Sequence, residues 1–148
     1  MFRHSLIGIS CLNVSIVSCL FAAMAVAKTP TDTLFQRLGG EKTVAQIVDE
    51  TIDSTAADAK TARSFKKVNL VNLKKKIVEQ ICQLADGPCM YSGDEMKLVH
   101  SGLDITESEF YGMVEHLRMA LDHANVGEGA KNELLRILAP MKREIVTK

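Results

Sequence analysis

Apolar residues recur along this chain at every third or fourth position, and no stretch alternates apolar and polar as a half-buried strand does. Val44, Ile47, Val48, Thr51 and Ile52 form the first such stripe. Leu70, Leu73, Ile77, Ile81 and Leu84 form a second, with Lys74, Lys75, Glu79 and Gln83 facing away from it, which predicts a helix from about Asn69 to Ala85. A third stripe reads Phe110, Met113, Val114, Leu117, Leu121 and Ala124, and a fourth Leu134, Ile137, Leu138, Met141 and Ile145. The chain is therefore expected to be all-α.

The punctuation between the stripes agrees with them. A short helix over Thr33 to Leu38 is closed by Gly39-Gly40, since glycine takes the positive φ that ends a helix. The turn-rich AADAKTARSF leads to Phe65, and Asp86-Gly87-Pro88 stops the second long helix because proline cannot continue one. A short helix is expected from Asp94 to Ser101, ended by Gly102. Thr106 and Glu109 make a capping box, with Ile105 and Phe110 as a hydrophobic staple, so a long helix starts at Glu107. Asn125 to Gly129 is a turn. Pro140 falls inside the last stripe and predicts a kink where the Arg136 carbonyl loses its partner.

The first 27 residues read differently. MFRH is cationic, LIGISCLNVSIVSCLFAAM is almost wholly apolar or small, and AVA precedes Lys28. This pattern predicts a secretory signal cleaved after Ala27 and a periplasmic or exported product, ahead of an uncleaved membrane anchor or a lipoprotein acylated at Cys19. Residues 28–148 then form one domain with enough chain for a real core. The whole sequence has 18 basic and 18 acidic residues; losing Arg3 leaves 17 against 18, a net charge of −1, so nothing marks a nucleic-acid surface. No membrane contact is expected after cleavage. Of the four cysteines, Cys82 and Cys89 remain, and export makes them a candidate disulfide. Their spacing, CQLADGPC, fits neither a zinc site nor covalent haem attachment.

Three histidines remain beyond the first 27 residues. His116 and His123 are seven residues apart on one helix, roughly 10 Å along its axis at 1.5 Å per residue, too far to share one ion. They read as surface or pocket-edge residues. His100 sits among Met96, Val99 and Leu103, where a neutral imidazole can offer one ring nitrogen to a metal while the other donates to a backbone carbonyl. A core histidine satisfied by a hydrogen bond is the simpler account of that residue taken alone.

The order of motifs decides between the two. LFQRLGG (34–40), the lone Phe65, LKKKIVEQICQLADGP (73–88), YSGDEMKLVHSGLDIT (91–106), VEHL (114–117) and LAPM (138–141) together resemble a group 1 truncated haemoglobin across residues 28–148. The resemblance implies a two-over-two helical sandwich around haem b held without covalent bonds. It implies His100 as the proximal iron ligand, Phe65 as the aromatic wedge on the porphyrin, and Leu73 and Ile77 on the distal side. Met96, Leu103, Phe110, Met113 and Val114 are the remaining apolar contacts it implies. Lys76 and Lys97 match positions that suit haem propionates, and a deprotonated Lys76 ligating the iron is the alternative.

One departure changes the chemistry. Where the family commonly has Phe-Tyr, whose hydroxyl donates to bound oxygen, this chain has Thr51-Ile52, and a glutamine often found on the facing helix is Ile77. A donor in such a pocket is worth about 1 to 3 kcal/mol, so oxygen should bind roughly five- to hundredfold more weakly than the family norm. Carbon monoxide and nitric oxide should suffer less. The expected function is thus binding of O2, NO or CO at a haem iron. Nitric oxide dioxygenation would need an electron donor that the chain does not name, which leaves enzyme status open. A six-coordinate electron-transfer haem and a haem-free interaction domain are the competing readings, separated by the absorption spectrum of the reduced protein.

Overall fold

The computed structural model describes residues 32–148, so the signal-like stretch and its cleavage site lie outside the described residues. Seven α-helices follow in order: α1 (Leu34–Arg37), α2 (Gly40–Ala57), α3 (Leu70–Leu84), α4 (Met96–Val99), α5 (Glu107–His123), α6 (Glu128–Leu138) and α7 (Lys142–Ile145). Short 3-10 turns at Ala62–Phe65 and Ala139–Met141 join α2 to α3 and α6 to α7. No strand occurs among the described residues.

The stripes become the core. On α2, Val44, Ile47, Val48, Thr51, Ile52 and Thr55 are buried, and this helix packs against α5 on one side and α3 on the other. Ile81 and Cys82 of α3, Leu117, Ala120 and Leu121 of α5, and Leu134 of α6 complete the cluster, with Leu34, Phe35 and Leu38 of α1 covering its end. Burying a side chain of this size contributes about 1.5 to 3 kcal/mol, so this face fixes how the long helices meet.

The helix boundaries follow local chemistry. Thr33 and Gln36 cap α1 reciprocally, and Asn69 caps α3 by accepting from the Asn72 amide at 3.1 Å. Gly39 enters α2 with φ of 93°, and a Cβ there would lie 2.5 Å from Thr43 Oγ1. The stop after α3 uses Asp86 at φ of 57°, one of the few non-glycine residues that tolerates the left-handed region. Gly87 must be glycine for another reason: a Cβ would sit 2.6 Å from Cys82 Sγ and 2.8 Å from Phe35 Cγ.

Two boundaries differ from the expectation. The short histidine helix spans only Met96–Val99, with His100 as its C-terminal cap. The Asp94 carbonyl is spent on the Tyr91 hydroxyl at 2.9 Å, so that residue does not enter the helix. The last stripe is broken rather than kinked, because Pro140 sits in a 3-10 turn, Ala139–Met141, that separates α6 from α7. The chain then docks its end, with the Thr147 and Lys148 amides donating to the Ile105 carbonyl at 3.0 and 3.3 Å.

Candidate functional site

His100 closes a helix of a single turn, and its ring folds back so that Nδ1 lies 2.8 Å from the Met96 carbonyl oxygen. A carbonyl only accepts, so Nδ1 donates, and in the neutral ring Nε2 carries the lone pair. Among the described residues, Nε2 has no hydrogen-bond partner. The ring is half-buried, as are Met96 and Leu103, whereas Val99 is exposed and does not help to enclose it. Among the described residues no three His, Cys, Asp or Glu side chains gather to hold an ion. An ion held through His100 would therefore need its other donors from a bound group rather than from the protein.

Opposite α4, α3 presents a row of half-buried residues. Leu73 and Ile77 pack on the core from the same face, and Gln80 continues the row one turn further. Gln80 Nε2 lies 3.7 Å from Met96 Sδ and 4.0 Å from Met141 Sδ, which draws α3, α4 and the turn after α6 together. Phe65 and Met113 also pack against the core while remaining half-buried, and Phe110 and Val114 share that intermediate burial. The result is a band of apolar side chains that the protein covers only in part. A cleft of about 790 Å³ borders it, lined by Gln80, Tyr91, Met96, Lys97 and Arg143 among others. Neither His100 nor Leu73 nor Ile77 lines that cleft.

The polar edges are specific. Lys76 Nζ pairs with Glu79 at 3.2 Å and also donates to the Ser92 hydroxyl. The Ser92 hydroxyl donates to the same Glu79 carboxylate at 2.7 Å, and these bonds hold that carboxyl below its usual range, the Ser92 bond contributing most. Lys97 is exposed. Thr51 Oγ1, the hydroxyl next to Ile52, where the resemblance expects a tyrosine, donates to the Ile47 carbonyl at 2.7 Å. Its donor is spent within α2.

The model of the family described as bacterial-like globin matches residues 33–147. The chain belongs to that family. Among the relatives of this globin, the group 1 truncated haemoglobin GlbN of Mycolicibacterium paratuberculosis is 32% identical over 120 residues, covering 81% of this chain and 88% of the relative. The GlbN of Nostoc commune is 31% identical over 118 residues, covering 78% and 98%. The crystal structure of the truncated haemoglobin of Tetrahymena pyriformis in its Fe(III) form superposes with a TM-score of 0.75 at 23% identity, covering 79% of this chain and all of that one. The globin fold expected from the motifs, a two-over-two helical sandwich, is the fold this chain adopts.

Three features of this globin's site escaped the sequence. Arg63 lies between Phe65 and α2 and binds Glu109 through two nitrogens at 3.1 and 2.8 Å, while also donating to the Leu103 and Asp104 carbonyls at 3.0 and 3.1 Å. It thereby clamps the turn that follows His100. Burial pushes the Glu109 carboxyl up, but Arg63, the Thr106 amide and hydroxyl, and Ser64 together bring it down to about 2. Only half of this was legible, since the capping box named Glu109 and Thr106 but not the guanidinium. Gln80 was missed although its place three residues after Ile77 put it on the same face. The histidines of α5 were read as surface or pocket-edge residues, and they are more specific than that. His116 Nε2 meets Asp58 at 3.1 Å and His123 Nδ1 meets Glu50, so both reach across to α2.

Proposed function

We propose that this protein is a haem b globin of the cell envelope that binds diatomic gases, O2 or NO foremost and CO as a probe, on an apolar distal side. The free lone pair of His100 Nε2, in a tautomer set by the Met96 carbonyl, is the observation that carries the reading. It is the donor that a haem iron takes from a protein. Bound there, haem supplies the iron at which a gas binds. Around it, Phe65, Leu73 and Ile77 exclude water, while Met96, Leu103, Phe110, Met113 and Val114 supply further apolar contact. Lys97 is suited to a propionate carboxylate. The apolar character of the Thr51, Ile52 and Ile77 positions supports weak oxygen retention, because no side-chain hydrogen there is free to meet charge on the gas. Export rests on the signal-like first 27 residues, with the lipoprotein and anchored forms as alternatives. An electron donor of unidentified class would be required for any turnover of nitric oxide.

Replacing His100 by alanine tests the reading. The variant should purify with little haem, and whatever remains should lack the wild-type ferrous spectrum; equal haem content with an unchanged spectrum would refute the assignment. His116→Ala and His123→Ala should keep both. Adding a donor on the distal side, as Ile77→Gln, should slow oxygen dissociation by about tenfold, roughly 1.4 kcal/mol of hydrogen bond, measured by stopped-flow, with a much smaller change for CO.

The competing reading, a six-coordinate electron-transfer haem with Lys76 on the iron, is disfavoured by the engagement of that ammonium with Glu79 and Ser92. The ferrous protein should therefore be five-coordinate at neutral pH. A low-spin ferrous spectrum that turns high-spin in Lys76→Ala would promote electron transfer instead. A protein that takes up no stoichiometric haem would support the third reading, a haem-free interaction domain.

A further inference from the structure

The segment that carries His100 is anchored unlike any other part of the molecule. Between Ala85 and Ile105, both buried, none of residues 86–104 is buried. Of its apolar side chains only Cys89 packs against the core, and none is buried in it, so other bonds must hold the stretch. At its far end the Arg63 guanidinium grips the Leu103 and Asp104 carbonyls. At its near end the chain runs back along α3 as a strap. The Gly87 amide donates to the Cys82 carbonyl at 2.8 Å, the Tyr91 amide donates to the Gln83 side chain, and Ser92 is fixed to Glu79 and Lys76. One covalent tie joins strap and helix: the Cys82–Cys89 disulfide, with the Cα atoms 5.7 Å apart. Cys82 is fully buried beneath it, while Cys89 is only half-buried and is the sulfur a reagent can reach.

We propose that the Cys82–Cys89 bond is a thiol–disulfide exchange site for a dithiol reductant, and that its state controls how tightly the His100 segment, and with it the haem, is held. The second half rests on the haem reading given above; the first does not. A thiolate of the dithiol attacks Cys89 Sγ, the Cys82–Cys89 bond breaks, and Cys82 leaves as a thiolate that takes up a proton. The second thiol of the reagent then displaces Cys89, closing the reagent into a cyclic disulfide. Two electrons and two protons have passed to the protein, which now holds two thiols.

The remaining ties of the strap to α3 are hydrogen bonds, most at exposed positions and clustered at Ser92 with Glu79 and Lys76, and each is weak against water. The strap leads straight into Met96, whose carbonyl sets the His100 tautomer and whose sulfur lies against Gln80. Freeing its near end therefore loosens the ligand while leaving the α2–α5 seam intact. Opening a loop of this length raises the population of strap-open molecules by about tenfold or more, and haem loss should rise in proportion.

The test uses the full-length holoprotein. It is treated with dithiothreitol without denaturant, alkylated with iodoacetamide and mapped by peptide mass, so that Cys11 and Cys19 do not confuse the count. Cys89 should be modified, with or without the buried Cys82; protection of Cys89 under these conditions overturns exchange. After removal of reductant under argon, haem transfer to apomyoglobin should be about tenfold faster than from the oxidised protein. Cys89→Ser should match the reduced protein and ignore dithiothreitol. Hydrogen exchange supplies the readout that needs no haem: amides of residues 87–96 should exchange faster after reduction while those of α2 and α5 do not change. A chain that binds haem but loses it at one rate in both redox states overturns the proposal. A chain that binds no haem while its strap still opens on reduction overturns the haem reading instead.

Discussion

The two halves of this molecule are held by different physics. Between α2 and α5 the contact is a continuous apolar seam in which Ile52 and Leu121 have no measurable exposure. Along residues 86–104 no side chain is buried, and position is set by a disulfide, an arginine clamp and hydrogen bonds. Burial is distributed and tolerant of any one loss, whereas point ties act one at a time. Under the proposed reading, a rigid wall then faces the His100 segment, whose hold can be altered without unfolding the protein.

Truncation exposes the contrast most directly. Leu121→Ala should cost about 2 to 5 kcal/mol of global stability, read from the denaturant midpoint, while Leu98→Ala on α4, where the side chain is 65% exposed, should cost under about 0.5 kcal/mol. Comparable losses at the two sites would dissolve the distinction.

Next in size comes the clamp. Glu109 titrates at about 2 in the folded protein against an ordinary 4.5, so it contributes stability above pH 4.5 that is lost as pH falls toward 2. The whole contribution is on the order of 2 to 3 kcal/mol. Glu109→Gln should be less stable at neutral pH and should flatten the acid limb between pH 4.5 and 2; a variant that follows the wild-type acid curve would show that the guanidinium holds nothing.

The smallest effect is a backbone one. Gly102 has φ of 74° and open space around its missing Cβ, so Gly102→Ala should cost about 1 to 2 kcal/mol through conformation alone. Because the residue closes the turn after His100, that cost should appear as faster amide exchange in residues 96–104 more than as a shift in global midpoint.

The same division explains what could be read in advance. The long helices were legible because a buried face leaves a periodic record in the choice of Val44, Ile47, Ile81 or Leu117. The Cys82–Cys89 pairing was legible from spacing and expected compartment, and the order of motifs singled out His100 as the candidate ligand. The extent of α4 was not, since a segment without buried residues has no periodicity to fix its ends, and hydrogen bonds such as that from Tyr91 to the Asp94 carbonyl leave no pattern. Arg63 was invisible for a related reason: half of its bonds go to carbonyls some 40 residues away, and a carbonyl has no identity in a sequence. Gln80 was hidden by its own polarity on an otherwise apolar face.

The pairs His116–Asp58 and His123–Glu50 bear on how this molecule can move. They are two turns apart on α5 and reach two positions on α2, so they act as a pair of pins across one seam. Sliding either helix along the other by a turn, about 5.4 Å, would part both pairs at once and put every buried side chain of the seam out of register. The His116 pair is half-buried and the His123 pair more exposed, and each adds little energy singly, yet together with the seam they oppose shear between the long helices. Asp86 and Asp104, two of the residues that hold a left-handed backbone, instead bound a segment with no buried side chain, where movement would not break that register.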